Sequence, residues 1–478
     1  MNTLQTSRAR NLVDGEWIDG TDFERINPAR PDDVAVVAPS SSAETADDAI
    51  AAAVQAQSEW ARRPLPARGA ILLRAAEILH GRRESVAVDL VREEGKTLAE
   101  ATGEVARATD VLRFFGSLGW ASTGQVLPSS LPGTTIHTRR EPLGVVALIT
   151  PWNFPIAIPA WKLAPALLAG NSVVLKPAEL TPMSATHLVA ALVEAGLPAG
   201  VLNLVHGRGS VVGARLAADR RVSALSFTGS TAVGLGLHRV LAERRARVQL
   251  EMGGKNAVLV LDDASPEAAA QVIATGGFGL TGQACTATSR VYATPGIHDR
   301  LLHELARLAE GFTPGDGLDA RTRMGVVVSE SQLATDLAAI EGAVSRGGRV
   351  LSGGTASAQS LTATVVTDVP QHDPIATDEV FGPVVAVLPV DDYEAGLAAV
   401  NDSPYGLTAG ICTDSLARST DFSERVQAGV VKVNRPTAGL DLNVPFGGTK
   451  DSSTNTFREQ GATALEFFTW GKTVYTGV

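Results

Sequence analysis

The 478-residue chain predicts an α/β fold built on parallel sheets. Three observations carry that expectation. Short apolar runs rich in β-branched residues recur, as in GVVALI (144–149) and SVVLK (172–176), the pattern of strands buried on both faces. Helical stretches closed by glycine lie between several of these runs, so the strands connect through helical crossovers. The length exceeds one ordinary domain, and a composition of 45% hydrophobic and 19% charged residues supplies an ample core.

The elements follow in chain order. The first region reads as helical: Thr45 and Asp48 have capping-box spacing ahead of Ile50, Ala53, Val54 and Trp60, which share one helix face. A second amphipathic stretch runs from about Pro66 to Glu94 and stops at Gly95, a common residue just past a helix end. After the strand at 144–149 comes a helix from Ala160 to Ala169, closed by Gly170, and then the strand SVVLK. Thr181 and Pro182 open a further helix that Gly196 closes. VLNLV (201–205), ALSF (224–227), VQLE (248–251) and AVLVL (257–261) continue as strands. A second α/β alternation occupies about Gly253 to Phe446, with RLLHELARLAEG as a helix and RVLSGG, PVVAVLPV and GVVKVN as strands. Residues 119–143 and the tail LEFFTWGKTVYTGV suit extended segments that pair outside the main sheets, and such strands often pair across subunits.

The net charge of −10, with no run of Lys or Arg, argues against nucleic acid or an anionic membrane as partner. Two cysteines, Cys285 and Cys412, make no disulfide framework. The start MNTLQTSRAR lacks the apolar core of a signal peptide, and no segment reaches 18 uninterrupted apolar residues, so a cytoplasmic protein is expected. No pair among the eight histidines has metal-ligand spacing, and no catalytic metal is expected.

Three residues stand out for chemistry, each with a plainer reading beside it. Cys285, in GLTGQACTATSR, has small and polar neighbours, which suits an accessible thiol, although a lone cysteine is more often a small core residue. Cys412, among apolar strand formers, is that packing case. Glu251 ends a predicted strand beside Met252, Gly253 and Gly254; it is either a desolvated general base or a solvated strand-end carboxylate. Asn153 lies in a loop stiffened by Pro151 and Pro155, either to donate to a developing oxyanion or to bond its own turn. The glycine clusters HGRGSVVG (206–213) and FTGSTAVG (227–234) each follow a strand, but neither matches the usual dinucleotide fingerprint. Lys176 and Glu179, at the end of the second strand, are placed to hydrogen-bond a ribose.

Together, the ordered set TPWNFP, LKPAE, FTGSTAVG, LEMGGKN, GQAC, EVFGP and PFGGTK resembles the aldehyde dehydrogenase superfamily, from the Trp17 region to the C-terminal strand. The resemblance implies a Rossmann-like cofactor domain (1–118 and 144–252), an α/β catalytic domain (253–446) and bridging β segments (119–143 and 447–478) that build a homodimer or homotetramer. It implies Cys285 as nucleophile, Asn153 with the Cys285 N–H as oxyanion hole, and Glu251 as the base that activates water on a thioester. Lys162 and Glu459 match positions implied in proton relay. NAD or NADP is the implied acceptor, because no side chain takes a hydride. Its implied contacts are Thr150, Pro151, Trp152, Lys176, Glu179, Arg208, Gly229, Ser230, Glu379 and Phe381.

A carboxylate at Glu179 bonds a free 2′-hydroxyl and repels a 2′-phosphate, which favours NAD, while Arg208 lies in a loop able to approach that phosphate. The ending VNRPTAGLDLNVPFGGTKDSSTNTFREQG (433–461) departs from the commoner family pattern and looks more like enzymes acting on α-ketoglutaric semialdehyde (2,5-dioxopentanoate). Arg435, Thr437 and Asn443 are then expected to face a substrate carboxylate. Trp161 and Phe446 resemble aromatic pocket walls, which also suit aliphatic or aromatic aldehydes. Other classes weighed are a thiol esterase on the same Cys285 and Asn153, which leaves Lys176, Glu179, Glu379 and Phe381 without a purpose, and a non-catalytic family member, which leaves Cys285, Glu251 and Asn153 without one. Acyl transfer to coenzyme A is a further reading; relatives of that type typically lack the base, so Glu251 favours hydrolysis.

Overall fold

A computed structural model describes residues 5–121 and 123–477; positions 1–4, 122 and 478 of the expected segments lie outside the described residues. Two seven-stranded sheets dominate. The first has the order Arg247–Glu251, Val222–Thr228, Val145–Ile149, Ser172–Lys176, Leu202–Leu204, Asn11–Val13, Glu16–Ile18. From Arg247–Glu251 through Leu202–Leu204 every pairing is parallel, and the N-terminal hairpin adds the antiparallel edge.

Alternation within these strands explains the two-sided burial. Val146, Leu148, Val173 and Leu175 join one core with the helices Leu65–Gly81, Leu98–Ser117, Ala157–Ala169 and Pro182–Glu194. Val145, Ala147, Ile149 and Val174 join the opposite core under Ala43–Arg62. Successive side chains of a strand point to opposite faces, so an uninterrupted apolar run serves two helix layers.

The second sheet runs Arg349–Ser352, Thr364–Thr367, Val384–Pro389, Thr288–Ala293, Asn256–Val260, Thr408–Cys412, Val430–Val433, parallel except at its Arg349–Ser352 edge. Cys412 is buried in it, as expected for a packing cysteine. A separate antiparallel arm pairs Thr469–Gly477 with Thr134–Pro142, which also pairs Val126–Leu127. Residues 447–468 lie elsewhere: Met252 N–H donates to Ser452 O and Thr454 N–H to Leu250 O, along the strand that ends in Glu251.

Several local readings are corrected. The chain opens with strands rather than helix, including a three-stranded sheet of Ser7–Arg8, Asp22–Asn27 and Arg30–Pro39. The first helix starts at Ala43, so Thr45 and Asp48 lie inside it and form no capping box, and Val54 is exposed while Ile50, Ala53 and Trp60 are buried. The stretch 66–94 is two helices, Leu65–Gly81 and Arg83–Glu94, broken at Arg82, whose ψ of 6° leaves helical geometry. Gly95 does close the second with φ 103°. The helix expected from Ala160 begins at Ala157, and Thr181 occupies the N-cap position of its helix without a side-chain capping bond.

Candidate active site

The strand order of the first sheet reverses at Val145–Ile149: the chain goes from there to Ser172–Lys176 on one side and later to Val222–Thr228 on the other. Ligands of open α/β sheets bind at such a switch point, beyond the carboxyl ends of the strands. Register aligns those ends, pairing Ile149 with both Lys176 and Phe227. Two buried hydroxyls there, Thr150 Oγ1 and Thr228 Oγ1, have no hydrogen-bond partner among the described residues. Gly229 and Ser230 follow, and Ser230 is the exposed N-cap of helix Thr231–Glu243, with its hydroxyl uncommitted to capping. The first N–H groups of a helix make an anion site.

Lys176 is buried at the same edge, its Nζ donating to Pro177 O (2.7 Å), and burial pushes its pKa down to about 8. The neighbouring His206 is buried and held at about 3 by desolvation, then by the Lys176 charge. Glu179 and Arg208 are exposed beside them. Orphaned hydroxyls, a helix N-terminus and a partly desolvated lysine on one crevice fit a dinucleotide with its pyrophosphate and ribose.

Across the crevice, Phe381 stands in left-handed conformation (φ 64°) and packs edge-on against Trp152 with ring centroids 5.4 Å apart. Pro151 and Trp152 are half-buried on the loop after Val145–Ile149. Glu379 folds onto the turn after Glu251, accepting from Gly254 N–H at 2.9 Å, where the absence of a side chain at Gly253 makes room for its carboxylate. Burial raises Glu379 to about 7.

Cys285 follows a turn in which Leu280, Thr281 and Gly282 all take positive φ. Gly282 packs against the Gly382 carbonyl, which brings the Cys285 segment to the Glu379–Phe381 loop. Asn256 Nδ2 donates to Cys285 O and Ala287 O, both at 2.8 Å, and Gln283 is tied through its side chain to Val326 O and Val328 N–H. Desolvation raises the Cys285 thiol well above its ordinary pKa, helped by Glu379, Glu251 and Glu459. Asn153 is buried, and its Nδ2 donates to Gln283 O (2.9 Å), two residues before the thiol.

Glu251 is buried at the end of its strand, which removes the solvated reading. Ser453 Oγ donates to its Oε1 (3.2 Å), while its Oε2 has no partner among the described residues. Its pKa is raised by burial first and by Glu459 second. Lys162 Nζ binds Glu459 Oε1 and donates to Ser226 Oγ at 2.7 Å, and Glu459 Oε2 is also free. Phe446 bridges to Glu459 and tilts against Trp161, with centroids 6.1 Å apart.

The expected carboxylate contacts separate. Arg435 is exposed and makes no ion pair or hydrogen bond among the described residues. Asn443 is exposed. Thr437 is fully buried: its hydroxyl donates to Thr286 O (2.7 Å) and meets Thr288 Oγ1 (2.8 Å), so it pins the loop rather than facing a ligand.

Sequence reasoning missed Lys96, Glu104, Asn256 and Gln283, which hold the segments bearing Asn153 and Cys285 in place. One signal was present for Glu104: it shares a buried helix face with Ala101, Ala108 and Leu112, where a carboxylate needs a partner.

Comparison with known proteins finds relatives over nearly the full length of the chain. The aldehyde dehydrogenase family model matches residues 17–474. The chain is 46% identical to an alpha-ketoglutarate semialdehyde dehydrogenase of Haloferax volcanii, over 98% of this chain and 99% of that protein. It is 43% identical to a 2,5-dioxopentanoate dehydrogenase of Saccharolobus solfataricus, over 97% and 98%. The solved structure of an NAD-dependent aldehyde dehydrogenase from Sinorhizobium meliloti superposes with TM-score 0.96 at 32% identity, covering 99% of this chain and 95% of that one.

Proposed function

The chain belongs to the aldehyde dehydrogenase family, and from that premise we propose that it oxidises α-ketoglutaric semialdehyde to the dicarboxylic acid with NAD as acceptor. The observation that carries the chemistry is the convergence of Cys285, Asn153 and Glu251 where the first sheet's switch point meets the Glu379–Phe381 loop.

The Cys285 sulfur attacks the aldehyde carbon as its proton passes to Glu251. Asn153 Nδ2 and the Cys285 N–H receive the developing oxyanion, in a site where water is largely excluded. NAD(P), when bound, would supply the hydride acceptor needed to oxidise this adduct to a thioester. Glu251 then deprotonates water, which adds to the acyl carbon, and Cys285 leaves. Glu459, Lys162 and Ser226 carry the proton onward from the buried base.

Thr150, Lys176, Gly229 and Ser230 would hold the cofactor's ribose and pyrophosphate, Pro151, Trp152 and Phe381 would flank its ring, and Glu379 would take the second ribose. Glu179, exposed and anionic, repels a 2′-phosphate, which favours NAD over NADP despite Arg208. Arg435, exposed and uncommitted, meets the substrate carboxylate. Residues 1–118 and 144–252 form the cofactor domain and 253–446 the catalytic domain, while 119–143 and the C-terminal strand build a homo-oligomer. The Trp161–Phe446 pair favours a second reading, a general aliphatic or aromatic aldehyde dehydrogenase.

The test follows reduced nicotinamide by absorbance with NAD or NADP and a panel of α-ketoglutaric semialdehyde, succinic semialdehyde, a medium-chain aldehyde and benzaldehyde, with Cys285→Ala as control. The expected outcome is the highest kcat/KM with α-ketoglutaric semialdehyde and NAD, lost in Cys285→Ala and reduced in Arg435→Ala through KM. A preference for the apolar aldehydes with Arg435→Ala unchanged selects the second reading.

A further inference from the structure

Lys96 is almost wholly buried, an unusual place for an ammonium group. Its Nζ donates to Glu104 Oε2 and to the Asn153 backbone carbonyl, both at 2.7 Å, and lies 4.9 Å from the centre of the Phe154 ring. The other oxygen of Glu104 accepts from Ile156 N–H (3.0 Å) and Ala157 N–H (3.1 Å), where helix Ala157–Ala169 begins. Glu94 completes the cluster, accepting from Lys96 N–H at 2.8 Å. The loop bearing Asn153 is therefore held at its carbonyl, at the next ring, and at the two N–H groups that follow.

A buried ion cluster is poor value as stability, since apolar groups of similar volume often serve as well or better. Its distinguishing property is direction, because a charged donor in a dry site fixes an acceptor's position tightly. The same helix, Leu98–Ser117, reaches the other reacting segments from one face. Glu100 Oε1 accepts from Leu280 N–H (2.7 Å) ahead of Cys285, and Arg107 Nη2 donates to Gln460 Oε1 (2.6 Å) beside Glu459. Positions 100, 104 and 107 follow the spacing of one helical face.

We infer that Lys96 and Glu104 are positioning residues for the oxyanion donor, orienting Asn153 Nδ2 toward the Cys285 segment from a helix that also anchors the nucleophile and relay loops. This rests on the assignment of Asn153 as oxyanion donor. Neither side chain touches substrate, so their effect passes through Asn153 alone.

The test is a double-mutant cycle on the whole enzyme, with NAD and whichever panel aldehyde is oxidised fastest. Glu104→Gln keeps an acceptor for the Ile156 and Ala157 N–H groups while breaking the charged pair. Lys96→Met combined with Glu104→Gln removes both charges together, and the same dependence on Asn153 is expected of it. Asn153→Ala is expected to lower kcat about 100-fold. Glu104→Gln is expected to lower kcat about 10-fold in the wild-type background and less than about 2-fold in Asn153→Ala, with the Kd for NAD unchanged in both. Equal losses in the two backgrounds, or no loss in either, overturn the inference and leave the oxyanion assignment standing. An unimpaired Asn153→Ala enzyme overturns the oxyanion assignment itself, and this inference with it.

Discussion

Glu251 sets function against stability within a single side chain. It is buried with one oxygen lacking any partner, and desolvation together with Glu459 raises its pKa well above that of an ordinary carboxylate. A base that must deprotonate water near neutrality gains from that shift. Thioester hydrolysis is therefore expected to rise with pH as Glu251 ionises, giving kcat an ascending limb above the usual carboxylate range. Glu251→Gln should slow both the first release of reduced nicotinamide and steady-state turnover, because the same carboxylate takes the Cys285 proton and activates water. Stability runs the other way. A carboxylate whose folded pKa is raised binds its proton more tightly in the folded state, so its contribution is complete below the unfolded pKa and is lost as pH rises through the folded pKa. The Tm of Glu251→Gln relative to wild type is therefore expected to climb between acid and alkaline pH, measured by differential scanning calorimetry. A constant difference in Tm across that range would show that folding does not raise the Glu251 pKa.

At the scale of elements, the turn between strands Arg247–Glu251 and Asn256–Val260 links Glu251, Cys285 and Glu379, the proposed base, nucleophile and cofactor contact. A methyl group at Gly253 would overlap the Glu379 carboxylate, and one at Gly254 would come within 3.2 Å of Cys285 O. Gly253→Ala is expected to displace Glu379 and raise the KM for NAD about 10-fold while leaving Tm nearly unchanged, by steady-state kinetics and melting curves. An unchanged KM would free Glu379 from its cofactor role. The parallel strands around this turn were legible because burial on both faces leaves continuous apolar runs such as 144–149 and 172–176. The break at Arg82 was not legible, since apolar periodicity continues across it and neither proline nor a left-handed glycine marks the spot. The start at Ala43 was hidden for a related reason: Ser42 caps by backbone geometry without a side-chain bond, while Thr45 and Asp48 imitate a capping box one turn inside.

At the scale of the whole molecule, Cys285, Glu251 and Asn153 could be singled out because each sits in a short motif with its own chemistry. Their supports could not, because Lys96 reaches Asn153, and Glu104 reaches Ile156, only through tertiary packing between separate helices and loops. The same limit applies to the arm, where alternation shows strands but not what they pair with. Thr469–Gly477 has Thr134–Pro142 on one side and an open edge of nine residues on the other. Around it Trp120 is 85% exposed, Val126 80% and Tyr475 64%. A long uncovered edge beside apolar side chains is an aggregation hazard that a soluble enzyme ordinarily covers. A second copy of the chain would meet that need by continuing the sheet, and the added contact must clear about 1,000 Å² to hold at low concentration. Light scattering is therefore expected to give a mass at a multiple of 49.6 kDa. Val126→Asp with Tyr475→Asp should shift that mass to the single-chain value while preserving the far-ultraviolet circular dichroism spectrum, because both side chains point to solvent within one chain. A wild-type mass of 49.6 kDa would refute assembly through the arm, and an unaltered multiple in the variant would move the interface to another face.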